Sequence, residues 1–146
     1  MKYNRFPKRD AVKHYFPLPN EIFSLELSGG EILVYTYLMY REDRKTFQCH
    51  PSYKTIGEAV GMSKNTVKKY VDGLVEKRLI TTEPTSVITN KGEKRNGNLL
   101  YHIRPIKEAV EYHYEQQIIR LEEETWRQTA LIKVVEYERK HPKIAV

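Results

Sequence analysis

Only one cysteine, Cys49, stands among 146 residues, so no disulfide can form within the chain and a reducing compartment is the expected setting. No stretch approaches the ~20 consecutive apolar residues that a membrane-spanning helix needs, and the first residues carry charge where a secretion signal carries an apolar block. A cytoplasmic protein without a membrane partner is expected. Equally missing are a glycine-rich phosphate loop followed by Lys-Ser/Thr, a His-Glu-x-x-His, a Gly-x-Ser-x-Gly and any pair of carboxylates in an apolar setting. The histidines, at 14, 50, 102, 113 and 141, never recur at the spacing of a ligand or base set, and Cys49-His50 has no second Cys or His pair to complete a structural zinc site. The sequence therefore predicts no catalytic residue, no metal and no cofactor, and it excludes the common enzyme classes.

Positive charge is what the chain has in excess. The net charge is +6, and it is unevenly spread: residues 1–105 hold 18 Lys/Arg against 11 Asp/Glu, whereas 106–146 hold 7 against 8. A basic field confined to one part of the chain favours a polyanion as partner.

Between Pro51 and Ile80 the apolar spacing describes two short helices. Tyr53, Ile56, Ala59 and Val60 recur on one helical face, and Val67, Tyr70, Val71 and Leu74 do so again after a break at Gly61-Met62. Ser52 and Ser63 stand just ahead of the two runs, each able to cap free backbone N–H groups. Burying the second stripe turns Lys64, Asn65, Lys68, Lys69 and Asp72 outward. A lysine-rich face opposite a Val/Leu stripe is also what any solvated surface helix shows, so the next segment decides. Leu79 to Thr82 and Leu99 to Ile103 have strand composition, and they bracket a polar stretch from Asn90 to Asn98 carrying Lys91, Lys94 and Arg95 against Glu93. A basic hairpin following a basic helix points to DNA.

The run His50-Pro51-Ser52-Tyr53-Lys54-Thr55-Ile56-Gly57, then Gly61-Met62-Ser63-Lys64-Asn65-Thr66-Val67, then Leu74-Val75-Glu76-Lys77-Arg78-Leu79-Ile80 resembles the winged helix-turn-helix family. It is similar to winged-helix proteins of Gram-positive bacteria and their mobile elements, including plasmid replication initiators and repressors of the GntR type. The resemblance covers about Leu18 to Pro105. One departure is Arg78, where such proteins usually carry glycine before the wing strand. The resemblance implies a bacterial regulator that binds double-stranded DNA with sequence preference. The alternatives it leaves open are a replication initiator or organiser of a plasmid, phage or other mobile element, and a winged helix used only for protein contacts.

The rest of the chain frames this unit. Residues 1–17 read as a basic arm with Lys2, Arg5, Lys8 and Arg9, either a loose terminus or a strap along phosphates. Ser28-Gly29-Gly30-Glu31 has capping-box spacing, and Ile32, Leu33, Tyr35, Leu38 and Met39 follow as a helical stripe ending near Asp43. Lys45 to His50 reads as a short strand with Phe47 and Cys49 turned to the core. From Ile106 to about Lys140 neither proline nor glycine interrupts a long helix with two apolar sides: Val110, Tyr114, Ile118, Leu121, Ile132 and Val135 on one, Tyr112, Ile119, Trp126, Ala130 and Tyr137 on the other.

The expected fold is mostly α with a small β-sheet (α+β): arm 1–17, winged domain 18–105, C-terminal helix 106–141 and tail 142–146. In the groove, Lys64, Asn65 and Lys68 are the expected base contacts, Lys68 being equally able to take a phosphate. Ser52, Lys54, Ser63, Thr66 and Lys69 are the expected phosphate contacts, with Lys91, Lys94 and Arg95 on the wing. The first side of the long helix is expected to pack on its own domain, and the second, through Tyr112, Ile119, Trp126 and Ala130, to form a homodimer. A replisome or polymerase component is a further partner that either biological role allows.

Overall fold

Three serines set where the helices of the head begin. In the computed structural model, which describes residues 15–143, Ser28 precedes α1 (Gly29–Arg41), Ser52 precedes α2 (Tyr53–Val60) and Ser63 precedes α3 (Lys64–Glu76). Each serine side chain accepts a hydrogen bond from the backbone N–H three residues on, at Glu31, Thr55 and Thr66. Each bond satisfies a donor that the first helical turn leaves open. At α1 the Glu31 carboxylate reaches back to the Ser28 N–H at 3.0 Å and completes the capping box.

The core lies where the three helices meet a small sheet. Val34, Tyr35 and Leu38 of α1, Ile56 of α2 and Val67, Val71 and Leu74 of α3 are all essentially inaccessible. Strands β1 (Gln48–Cys49), β2 (Ile80–Glu83) and β5 (Leu100–Ile103) form an antiparallel sheet in the order β1-β5-β2, with Tyr101 facing Cys49 on one side and Thr82 on the other. Tyr101 is fully buried. A 3-10 turn at Asn20–Phe23, which the sequence pattern does not announce, adds Ile22 to the core.

Three expected core positions, Leu33, Phe47 and Ala59, are exposed instead. Phe47 is 55% exposed and has a φ of +57°. Asp43 explains it: its carboxylate accepts from the backbone of Lys45 and Thr46, and its carbonyl accepts from Phe47 N–H at 2.7 Å. That turn closes one residue before β1, so the strand starts at Gln48 rather than Lys45 and Phe47 is thrown outward. On α1 Tyr35 and Leu38 are buried as expected, but Val34 takes the inside place expected of Leu33, which is 43% exposed. Ala59 of α2 is exposed. Tyr70 is half-buried, and its ring lies so close over Gly30 that no Cβ would fit there. The missing side chain at Gly30 is what lets α3 lie against α1.

The joint between these helices carries one buried charge. Glu31 is 6% exposed and takes a 2.8 Å ion pair from Lys77. Burial opposes its ionisation, but the bonds from Lys77 and Ser28 outweigh that and hold its carboxyl below the ordinary value of 4.5. The pair's stabilisation is therefore complete above pH 4.5 and is lost as pH falls through the lower, folded value. Lys77→Met is expected to lower stability by about 1 kcal/mol at neutral pH, discounted because the lysine is one-third exposed. The gap should shrink in urea melts at progressively lower pH below 4.5; a constant gap would mean Glu31 does not respond to Lys77.

After β5 the chain enters α4 (Ile106–Lys140), about 52 Å long at 1.5 Å per residue. Its first turns are tied to the head. Ala109 is buried, Arg78 sits over the Tyr112 ring at 4.9 Å, and Arg120 pairs with Glu26 at 3.2 Å. Arg78 has a φ of +67°, the backbone region that favours glycine, and the stack on Tyr112 offsets part of that strain. From Ile118 to Lys140 every residue is exposed. The expectation that the Val110 to Val135 side lies on its own domain is thus corrected: Val110 is half-buried, while Tyr114, Ile118, Leu121, Ile132 and Val135 are 55–64% exposed. The head is too short to follow a helix of this length. Among the described residues no helix is long and apolar enough to cross a membrane.

Candidate nucleic-acid interface

Burial of Val67, Val71 and Leu74 forces the opposite arc of α3 into solvent, and Lys64, Asn65, Lys68, Lys69 and Asp72 are all exposed there. Its N-terminal turn is chemically prepared for an anion. The Ser63 and Thr66 hydroxyls lie 2.8 Å apart and share one hydrogen, which leaves the other free for an outside acceptor. The N–H groups of Lys64 and Asn65 fall in the first turn, where no intrahelical partner exists, at the positive end of the helix dipole. The same Ser-x-x-Thr device opens α2, where Ser52 and Thr55 hydroxyls lie 2.9 Å apart, but Ser52 is half-buried. Lys54 beside it is exposed.

Two members of the arc are modulated by their neighbours. The Lys69 ammonium stands 5.6 Å from the Tyr70 ring centroid, which draws it to the α1 side of the helix. Asp72 faces Tyr53: burial, and then the Asp72 charge, push the Tyr53 phenol above its usual range.

The wing is longer than the sequence pattern indicates. Beyond β2 and β5 it continues as a second ribbon, β3 (Ser86–Ile88) paired with β4 (Lys94–Asn96), where a hairpin tip spanning Asn90 to Asn98 was expected. The turn itself runs from Thr89 to Glu93, closed by Gly92 N–H to Thr89 carbonyl at 2.8 Å and Thr89 N–H to Glu93 carbonyl at 2.9 Å. The β-branched pair Val87-Ile88 ahead of Asn90-Lys91-Gly92 is the signal that could have located β3. Register separates the wing cations. Val87 lies opposite Arg95 and Ile88 opposite Lys94, so Arg95 and Lys94 project from opposite faces of the ribbon. Lys91 is at the turn, and Arg95 makes a 3.4 Å exposed pair with Glu93. Asn98 donates to the His50 carbonyl at 3.2 Å, fixing the wing base beside the start of α2.

Lys2, Arg5, Lys8 and Arg9 lie outside the described residues. On α4, Ile119, Trp126 and Ala130 are exposed, Trp126 at 75%, whereas Tyr112 is half-buried against Arg78 of its own head.

Residues 25–80 match the sequence model of a family described as a helix-turn-helix domain. No curated protein matches the chain. Among solved structures, a "possible transcriptional regulator" from Methanosarcina mazei is 17% identical with a TM-score of 0.47, covering 72% of this chain and 82% of that one. A MarR-family transcriptional regulator from Silicibacter pomeroyi is 14% identical with a TM-score of 0.40, covering 86% and 80%. The Staphylococcus aureus MepR–DNA complex is 16% identical with a TM-score of 0.37, covering 80% and 85%.

Proposed function

We propose that this chain is a sequence-preferring double-stranded DNA-binding regulator in which α3 enters the major groove. The observation that carries it is the outer arc of α3: three lysines and an asparagine, all exposed, next to a helix N-terminus with unfilled donors. Lys64 can donate to a guanine edge and Asn65 can pair two-pronged with adenine, with Lys68 one turn on reaching base or phosphate. Ser63, Thr66, Lys54 and Lys69 set register on phosphates without reading sequence. Because Lys94 and Arg95 face opposite ways, one lies toward the duplex and the other does not, so the wing contributes fewer contacts than its charge suggests.

Two copies bind together in this reading, joined through the exposed Ile119, Trp126 and Ala130 side of α4. A Trp fully packed buries on the order of 200 Å², and leaving such a face in water forfeits several times ~1 kcal/mol. Fluorescence anisotropy on a duplex recovered by binding-site selection is the test. We expect a log–log salt slope on the order of −4 to −8 per protomer, since each neutralised phosphate releases counterion, and two protomers per selected site. A slope near zero, or no enriched sequence, would overturn the proposal.

A further inference from the structure

The exposed Tyr114, Ile118, Leu121, Ile132 and Val135 of α4 follow the alternating three- and four-residue spacing of a helix-pairing seam, with Thr125 and Gln128 at the two intervening positions. Thr125 is compatible with burial, because its hydroxyl already donates to the Leu121 carbonyl at 2.8 Å and only its methyl needs a partner. The seam extends Ile118 to Val135 beyond anything the head covers.

Charge decides what can cover it. The positions bordering the seam are Glu115, Glu122, Thr129 and Glu136 on one edge and Gln117, Glu124, Leu131 and Glu138 on the other: five carboxylates and no cation. When two helices pair, border faces border. A second copy laid on this seam would bring more glutamates and no cation to the borders, so no ion pair could form there and the added negative charge is unfavourable. The Trp126 side differs, having Arg120 and Arg127 on one border and Glu115 and Glu122 on the other. Two parallel copies there bring opposite charges together at the borders, with Glu123 and Lys133 falling within the line itself. Border charge therefore favours a second copy on the Trp126 side and a cation-bearing helix on the glutamate-bordered seam.

We propose that this seam docks a cationic amphipathic helix of another protein, one with apolar residues at the pairing positions and Lys or Arg along both borders. The inference does not depend on DNA binding. The probe is a labelled three-heptad peptide with Ile and Leu in the seam and Lys at the borders, titrated against the full chain, beside a twin carrying Glu at the borders. The Lys peptide should bind at least ~30-fold more tightly than its twin at low salt, with the difference shrinking as salt rises. Leu121→Asp and Ile132→Asp should abolish binding while leaving sedimentation of the chain unchanged. The triple variant Glu122→Lys, Glu124→Lys, Glu136→Lys should reverse the preference toward the Glu peptide, which a misfolded helix could not do. Equal binding of the two peptides, or of neither, overturns the proposal. So does loss of self-association on Leu121→Asp, which would put a second copy on the seam.

Discussion

Gly57→Ala is expected to lower stability by about 2–3 kcal/mol, although alanine is the better helix former by up to about 1 kcal/mol. Gly57 is buried in the middle of α2, and a Cβ there would collide with the Met62 carbonyl oxygen and touch Val67 Cγ2 at 3.6 Å. The carbonyl cannot swing aside freely. Its own residue's N–H donates to the Gly57 carbonyl at 2.9 Å, as part of the bonds that end α2 and start the turn into α3. Relief must come from moving the two helices apart, which opens the contact at Val67. Overpacking against backbone outweighs helix propensity, so the sign is opposite to the one a helix scale gives. Thermal unfolding should show a Tm lower by roughly 10 °C. A Tm at or above that of the parent would mean the turn is not packed as described.

Converting Lys64, Lys68 and Lys69 together to glutamate should weaken duplex binding by more than ~500-fold at 0.1 M salt while leaving the Tm nearly unchanged. A lysine held in the groove, whether on a phosphate or on a base edge beside one, screens about one phosphate and contributes roughly eightfold at that salt through counterion release, so three contribute about 500-fold before the added repulsion. The fold should tolerate the change, because all three are exposed and the core residues of α3 lie on its opposite arc. Anisotropy at several salt concentrations should also show a flatter slope, by about 3. An affinity loss below tenfold would remove α3 from the interface.

The parts of the head that were legible in the sequence are those fixed by chemistry a few residues long. Ser28, Ser52 and Ser63 sit where caps are needed, and Val67, Val71 and Leu74 repeat at a helical interval, so the helix starts and the buried side of α3 could be read directly. What escaped depends on distant neighbours or on a local competitor. Leu33 and Val34 are equally apolar, and only the direction from which the other helices approach α1 chooses Val34. Phe47 has strand composition, but Asp43 captures the preceding backbone and turns it out. The ribbon of β3 and β4 has no buried face, so no alternation marked it. Within the candidate interface, composition located the cations, whereas the opposition of Lys94 and Arg95 needed the pairing register. Arg78 was visible only as a departure from a family's glycine; its φ of +67° shows that the glycine-like geometry is kept with a side chain in place.

The division of α3 into two non-overlapping arcs bears on how such a chain can diverge. Gly30 and Tyr70 constrain each other through close contact, and Val67, Val71 and Leu74 are buried in the shared core, so a change at any of them strains its neighbours. Lys64, Asn65 and Lys68 carry no such obligation. Drift along the outer arc can proceed one codon at a time, each variant as foldable as its parent. New binding preferences are then reachable through neutral steps, and relatives that share the packed arc need share nothing along the exposed one.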